Sequence, residues 1–236
     1  MSKTYLDLLA YFGIGGAHPG GFSLTKTLLQ NENILPTESV LDIGCGTGQT
    51  AAFLAEQFKC HVTAIDNHPI MIEKAKERFK ESDFIVNVME GDAQNLNIAD
   101  STFDYIIAES VIVFTDISKT LNELSRVLKS GGSMIIIEMT AEQNLSEELR
   151  RKVSNLYGIN EILNEEEWIS RLQDLGFTQI DIINTPTELV PSEINDINQS
   201  ENIQADLFDL WEEHNNFLFH YHHLIGYRVF KCQLTR

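Results

Sequence analysis

Apolar and polar positions follow two rhythms along this chain. Between residues 39 and 140, five short runs are apolar at most positions: Ser39–Ile43, His61–Ile65, Ile85–Met89, Tyr105–Ala108 and Ser133–Met139. Runs of that length and density predict parallel strands buried on both faces. Helical spacing fills three of the gaps. Ala51, Leu54, Ala55 and Phe58 make one face, and Met71, Ile72, Ala75 and Phe79 a second, with Pro69 at a first helical position. Ile117, Leu121, Leu124 and Leu128 make a third, and Gly131-Gly132 reads as its C-cap. Strand and helix in alternation predict an α/β, doubly wound, mostly parallel sheet.

The rhythm differs on either side. Two short apolar helices, Tyr5–Phe12 and Ser23–Gln30, flank a loop rich in glycine. After residue 140, Leu145, Leu149, Val153 and Leu156 predict a helix. Asn164 caps another, with Trp168, Leu172 and Leu175 inward and Gly176 as terminator. Phe177–Ile183 and Tyr227–Leu234 read as strands. Between them, residues 207–225 form a long amphipathic helix with Leu207, Leu210, Trp211, His214, Leu218 and Tyr221 on one side. The polar, breaker-rich stretch 185–202 reads as a loop.

Composition narrows the function. The chain has 236 residues and is 43% apolar, enough for one α/β domain with a lid. No apolar run is long enough to span a membrane, and the first residues lack a secretory signal pattern. Three cysteines without metal-ligand spacing fit a reduced, cytoplasmic compartment. A net charge of −18 opposes a nucleic-acid substrate, which proteins grip with Lys and Arg. The basic groups at 150–152 and on the 70–80 helix read as solvated surface. Paired histidines near the C-terminus, His220 and His223, lack an acidic partner at ligand spacing, so no metal site is expected.

The stretch SVLDIGCGTGQT, residues 39–50, carries the chemistry. Glycines 44, 46 and 48 depart from the Gly-x-Gly-x-x-Gly spacing of dinucleotide sites. Asp42 stands just ahead of them, where a carboxylate would repel a pyrophosphate and attract an ammonium or sulfonium. Asp66 ends the second strand, where it could accept hydrogen bonds from a ribose, with Asn67 beside it. Asp92 and the backbone of Ala93 follow the third strand, within reach of an adenine, although Asp92 could be a plain turn acid. These acids fit S-adenosylmethionine. Cys45 reads as a small filler in the loop.

The segments VLDIGCGTGQTAAFLA, AIDNHPIMIEKAKERF, EGDAQNLNIADSTFDYIIAESVI and LSRVLKSGGSMIIIE resemble the successive motifs of class I S-adenosylmethionine-dependent methyltransferases. The closest likeness is to the small-molecule branch with the ubiquinone and menaquinone C-methyltransferases. The resemblance covers about residues 36–140. It implies a Rossmann-like, seven-stranded sheet whose last strand is antiparallel. It implies that Asp42, Gly44, Gly46, Gly48, Asp66, Asn67, Asp92, Ala93 and Glu109 line the cofactor site. Residues 1–35 would be a helical lid, 36–140 the cofactor-binding core, and 141–236 the acceptor-pocket helices and final two strands of a single domain.

Catalytic candidates are fewer. Glu109 lies at the carboxyl end of the fourth strand, where open α/β sheets bind ligands, although it could equally cap a helix or face solvent. The Asp/Asn-Pro-Pro-aromatic motif of amino-methylating nucleic-acid enzymes is absent after it. Tyr11, His18, Gly20 and Gly21 are expected in a lid over the site, with His18 facing a small-molecule methyl acceptor, although His18 could equally hydrogen-bond its own loop. His214 reads as a core histidine. Two other functions fit the same sequence: a non-catalytic S-adenosylmethionine-binding module and an NAD-dependent reductase.

Overall fold

The computed structural model of the chain describes residues 3–183 and 194–235. The expected loop at 185–202 therefore lies partly outside the described residues. The strands are β1 (Ser39–Ile43), β2 (His61–Asp66), β3 (Val86–Glu90), β4 (Phe103–Glu109), β5 (Leu128–Ala141), β6 (Phe177–Ile183) and β7 (Ile225–Leu234). They form one seven-stranded sheet in the order β3-β2-β1-β4-β5-β7-β6. β7 runs antiparallel to both its neighbours, and the remaining pairs are parallel. This is the Rossmann-like α/β architecture expected.

The helices are α1 (Tyr5–Phe12), α2 (Gly21–Gln30), α3 (Gln49–Phe58), α4 (Pro69–Phe79), α5 (Ile117–Val127), α6 (Glu147–Tyr157), α7 (Glu165–Asp174) and α8 (Ala205–Tyr221). Their ends follow local chemistry. Thr4 and Asp7 close a capping box on α1, and Asn164 and Glu167 close another on α7. Pro69 opens α4 as expected.

Two predicted boundaries are corrected. The last helix ends at Tyr221, and Ile225, expected at its end, already begins β7. Gly131-Gly132 does not cap α5, which ends at Val127; the chain is already extended at Leu128. Glycine is not needed there because other groups satisfy the last carbonyls. The N–H groups of Ser101 and Thr102 donate to the oxygens of Arg126 and Val127 at 2.9 and 2.7 Å. The two glycines instead lie in a bulge of β5, where the register against β4 slips between Phe103 and Tyr105.

Strand order positions the site. The chain builds outward from β1 to β3, then returns to add β4 on the other side of β1. The crevice between the carboxyl ends of β1 and β4 is the switch point at which such sheets bind ligands. Helix α1 and the loop 13–18 contribute to the walls of this crevice.

Candidate functional site

The crevice opens into two adjoining cavities. The first gathers Asp42, Gly44 and Gly46 from the end of β1, Asp66 and Asn67 from β2, Ala93 after β3, and Glu109 from β4. Gly44 has φ +69°, and a Cβ there would lie 2.2 Å from Val111, so only glycine permits the turn. A Cβ on Gly46 would meet nothing closer than Met71 at 3.9 Å, which leaves its backbone open to a ligand.

Acids dominate this cavity. Asp42 is 2% exposed, and its Oδ2 has no hydrogen-bond partner among the described residues. Burial, with Glu109 and Asp66 nearby, pushes its carboxyl well above the usual range. Asp66 accepts from the N–H of Gly46 at 2.9 Å and of His68 at 2.8 Å, which holds the glycine loop to β2. Burial also raises its carboxyl. No Lys or Arg is among the described residues lining the cavity. A pyrophosphate would meet three carboxylates there, whereas a cationic group would complete the hydrogen bonding of Asp42. The residues thus fit S-adenosylmethionine. The thiol of Cys45 is pushed up by burial and by Asp42 and Asp66, so it remains a protonated filler.

Glu109 neither caps a helix nor faces solvent. Its Oε1 accepts from the Thr25 hydroxyl at 2.5 Å and its Oε2 from the Thr50 hydroxyl at 2.7 Å. His18 is 4% exposed and joins this cluster. Its Nδ1 donates to the Pro19 carbonyl at 3.1 Å, while its Nε2 lies 3.0 Å from Thr25 Oγ1 and 3.5 Å from Glu109 Oε1. His18 therefore hydrogen-bonds its own loop and also ties that loop to β4.

Other expected site residues do not line either cavity. Gly48 starts α3 against the ring of Phe79. Asp92 is exposed, and its carboxylate accepts from the backbone and side-chain N–H groups of Gln94 at 2.9 and 3.1 Å. Tyr11 faces Lys3, whose ammonium donates to its hydroxyl at 2.9 Å. Gly20 and Gly21 open α2, where Gly21 N–H bonds the His18 carbonyl.

The second cavity adjoins the first and shares His18, Leu9, Phe114 and Ser110 with it. Tyr157 comes from α6, and Trp211, His214 and Leu218 from α8. His214 is a half-buried wall residue rather than part of the core, with Nδ1 3.0 Å from the Tyr157 hydroxyl.

Three features escaped sequence reasoning. Glu138 is a fully buried acid whose Oε1 accepts from the N–H groups of Val111 and Ile112 at 3.0 and 2.8 Å. Its signal was a lone charge inside the run MIIIEM. Thr25 and Thr50 had no local signal. Residues 196–200 form a strap against the loop after α1, and the basic face of α4, expected as solvated surface, anchors it. Lys74 donates to the Asn198 carbonyl, and Arg78 bonds both the Thr47 carbonyl and the Asp196 carboxylate. Tertiary contact supplies these acceptors, so no pattern on α4 alone reveals them.

A methyltransferase-domain family model matches residues 40–132. The uncharacterized methyltransferase YodH of Bacillus subtilis is 32% identical over 229 residues, covering 97% of this chain and 98% of its own. The demethylmenaquinone methyltransferase of Thermotoga maritima is 38% identical over 104 residues, 43% of this chain and 44% of that one. A phosphoethanolamine N-methyltransferase of Haemonchus contortus, solved with phosphomonomethylethanolamine and S-adenosylhomocysteine, superposes with a TM-score of 0.76 at 22% identity. The superposition covers 98% of this chain but only 57% of that longer one. A relative of this identity aligned from end to end decides the family: the chain belongs to the class I S-adenosylmethionine-dependent methyltransferases.

Proposed function

We propose that the chain moves a methyl group from S-adenosylmethionine to a small-molecule acceptor held in the second cavity. The observation that carries this reading is the buried, unpartnered Oδ2 of Asp42 at the glycine loop, beside a second cavity of opposite character. In this reading Asp42 accepts from the ammonium end of the cofactor, and the open backbone at Gly44 and Gly46 passes beside it. Asp66 and Asn67 hold the ribose, and Ala93 borders the adenine. When bound, the cofactor supplies a methyl group activated by its sulfonium, which a nucleophile takes by in-line displacement.

The protein's task is then to align the acceptor and exclude water. Glu109, with Thr25, Thr50 and His18, forms a hydrogen-bonded wall at the junction of the cavities. Both ring nitrogens of His18 are engaged, which supports a positioning role for it rather than removal of a proton from the acceptor. Residues 1–35 act as the lid, 36–140 as the cofactor half and 141–236 as the acceptor half of one domain. The likeness to the menaquinone enzyme spans less than half of either chain, so it supports the cofactor and not a quinone acceptor.

Calorimetric titration with S-adenosylhomocysteine, S-adenosylmethionine and NAD tests this reading. We expect micromolar binding of the first two, weakened at least about tenfold in Asp66→Ala as two charge-assisted hydrogen bonds are lost. Binding of NAD, or of none of the three, overturns it.

A further inference from the structure

Resting on the methyl-transfer reading, we propose that the second cavity is a neutral acceptor site. It takes an uncharged, ring-sized apolar molecule and holds that molecule's polar atom through the Tyr157–His214 pair. The cavity measures about 160 Å³. A dry apolar cavity of about 150 Å³ accommodates a benzene-sized ligand. Aliphatic side chains and an aromatic group share the walls: Tyr5 meets Tyr157 edge-on at 4.8 Å between ring centroids and stacks on Phe114 at 6.3 Å, and Trp211 lies 6.2 Å from His214.

No Asp, Glu, Lys or Arg is among the described residues that line this cavity. An anionic acceptor would be stripped of water there with no charged partner, a large cost. This distinguishes the site from what a phosphorylated acceptor needs. Aromatic faces do attract cations. A protonated amine, however, has no lone pair with which to take a methyl group, and the carboxylates belong to the neighbouring cavity.

The polar atoms of the Tyr157–His214 pair are neutral too. Burial pushes His214 down to about 4 and raises the Tyr157 phenol, so near pH 7 the imidazole is uncharged and the phenol keeps its proton. The Tyr157 hydroxyl lies 3.0 Å from Nδ1, and in the proposed pair the phenol is the donor. In that tautomer the other ring nitrogen, Nε2, carries the imidazole proton, and no described residue accepts from it. It is a neutral donor for an oxygen or nitrogen of the acceptor.

The test uses the full chain saturated with S-adenosylhomocysteine and reads Trp211 fluorescence, with Trp211→Phe identifying its share against Trp168. Four isosteric probes are titrated: benzyl alcohol, toluene, benzoate and benzylammonium, with phosphoethanolamine as a fifth. Benzyl alcohol is expected to saturate, about five- to tenfold tighter than toluene for one hydrogen bond, while benzoate and phosphoethanolamine fail to bind. His214→Phe should abolish the advantage of benzyl alcohol and leave toluene unchanged. Tighter binding of benzoate or phosphoethanolamine overturns the proposal in favour of an anion site, and tighter binding of benzylammonium in favour of a cationic cage. Equal weakening of toluene and benzyl alcohol in His214→Phe would show that the histidine only supports the wall. Failure to bind S-adenosylhomocysteine at all sinks the methyl-transfer reading beneath, a distinct result from its binding without benzyl alcohol.

Discussion

Glu138 shows how one buried side chain can set the shape of a ligand loop. It receives the backbone N–H groups of Val111 and Ile112, and Val111 packs against Gly44, the first glycine of the loop. Burial raises its carboxyl to about 8, while the unfolded chain titrates near 4.5. Between those values the folded protein holds a proton that the unfolded chain has lost. Stability contributed by this group is therefore full below about pH 4.5 and falls as pH rises toward 8, by up to about 1.4 kcal/mol per unit. Glu138→Gln keeps the acceptor and the shape but not the titration. Denaturant unfolding at pH 5, 7 and 8.5 should show a smaller decline in the variant, and an unchanged decline would remove Glu138 as its cause. Glu138→Ala leaves two buried N–H groups unpartnered, at a cost of about 1–3 kcal/mol, and should also weaken S-adenosylhomocysteine binding through Val111.

At the scale of elements, the strap and the loop after α1 form a small antiparallel patch. Gly15 N–H donates to the Asp196 carbonyl at 2.9 Å, Asn198 N–H to Gly13 at 2.9 Å, and Ser200 N–H to Tyr11 at 2.8 Å. Arg78 links this patch to the glycine loop through Thr47 and Asp196. The strap thus braces the loop whose residues 14–18 line the first cavity. The Arg78–Asp196 pair is about a quarter exposed, so solvent screening limits it to roughly 0.5–1 kcal/mol. Asp196→Ala should leave the thermal midpoint nearly unchanged, weaken S-adenosylhomocysteine by about two- to fivefold, and speed hydrogen exchange in residues 13–18. If exchange and affinity both stay at the parent values, the strap plays no part in enclosing the ligand.

At the scale of the whole molecule, the two cavities share walls from the N-terminal segment and the sheet, so binding should be felt by the entire fold. S-adenosylhomocysteine at 100 times its dissociation constant should add about 2.7 kcal/mol. For a chain of this size that raises the melting midpoint by roughly 5–11 °C. Calorimetry should show one transition moving as a unit; a second transition left behind would show that part of the chain unfolds independently of the cavities. The division between sequence and structure follows the same lines. The alternation of strand and helix, and the meeting of Asp42, the glycine loop and Asp66 at one crevice, were legible because buried strands and tight turns impose local rules on residue type; the order of the strands in the sheet was not. Asp92 lines neither cavity, and its carboxylate accepts from Gln94 two residues on, which is the turn-acid reading of the sequence. The aromatic content of the helices around 145–157 and 203–225 was legible and suits an apolar or partly cationic molecule. The partners of Glu109, the anchors of the strap and the pairing of Tyr157 with His214 were not. Each joins residues far apart in the chain: Thr25 to Glu109, Arg78 to Asp196, Tyr157 to His214. Periodicity determines which face of an element is apolar, and spacing determines how a loop turns. Which side chains meet across two elements depends on how those elements dock, and only the tertiary structure decides that.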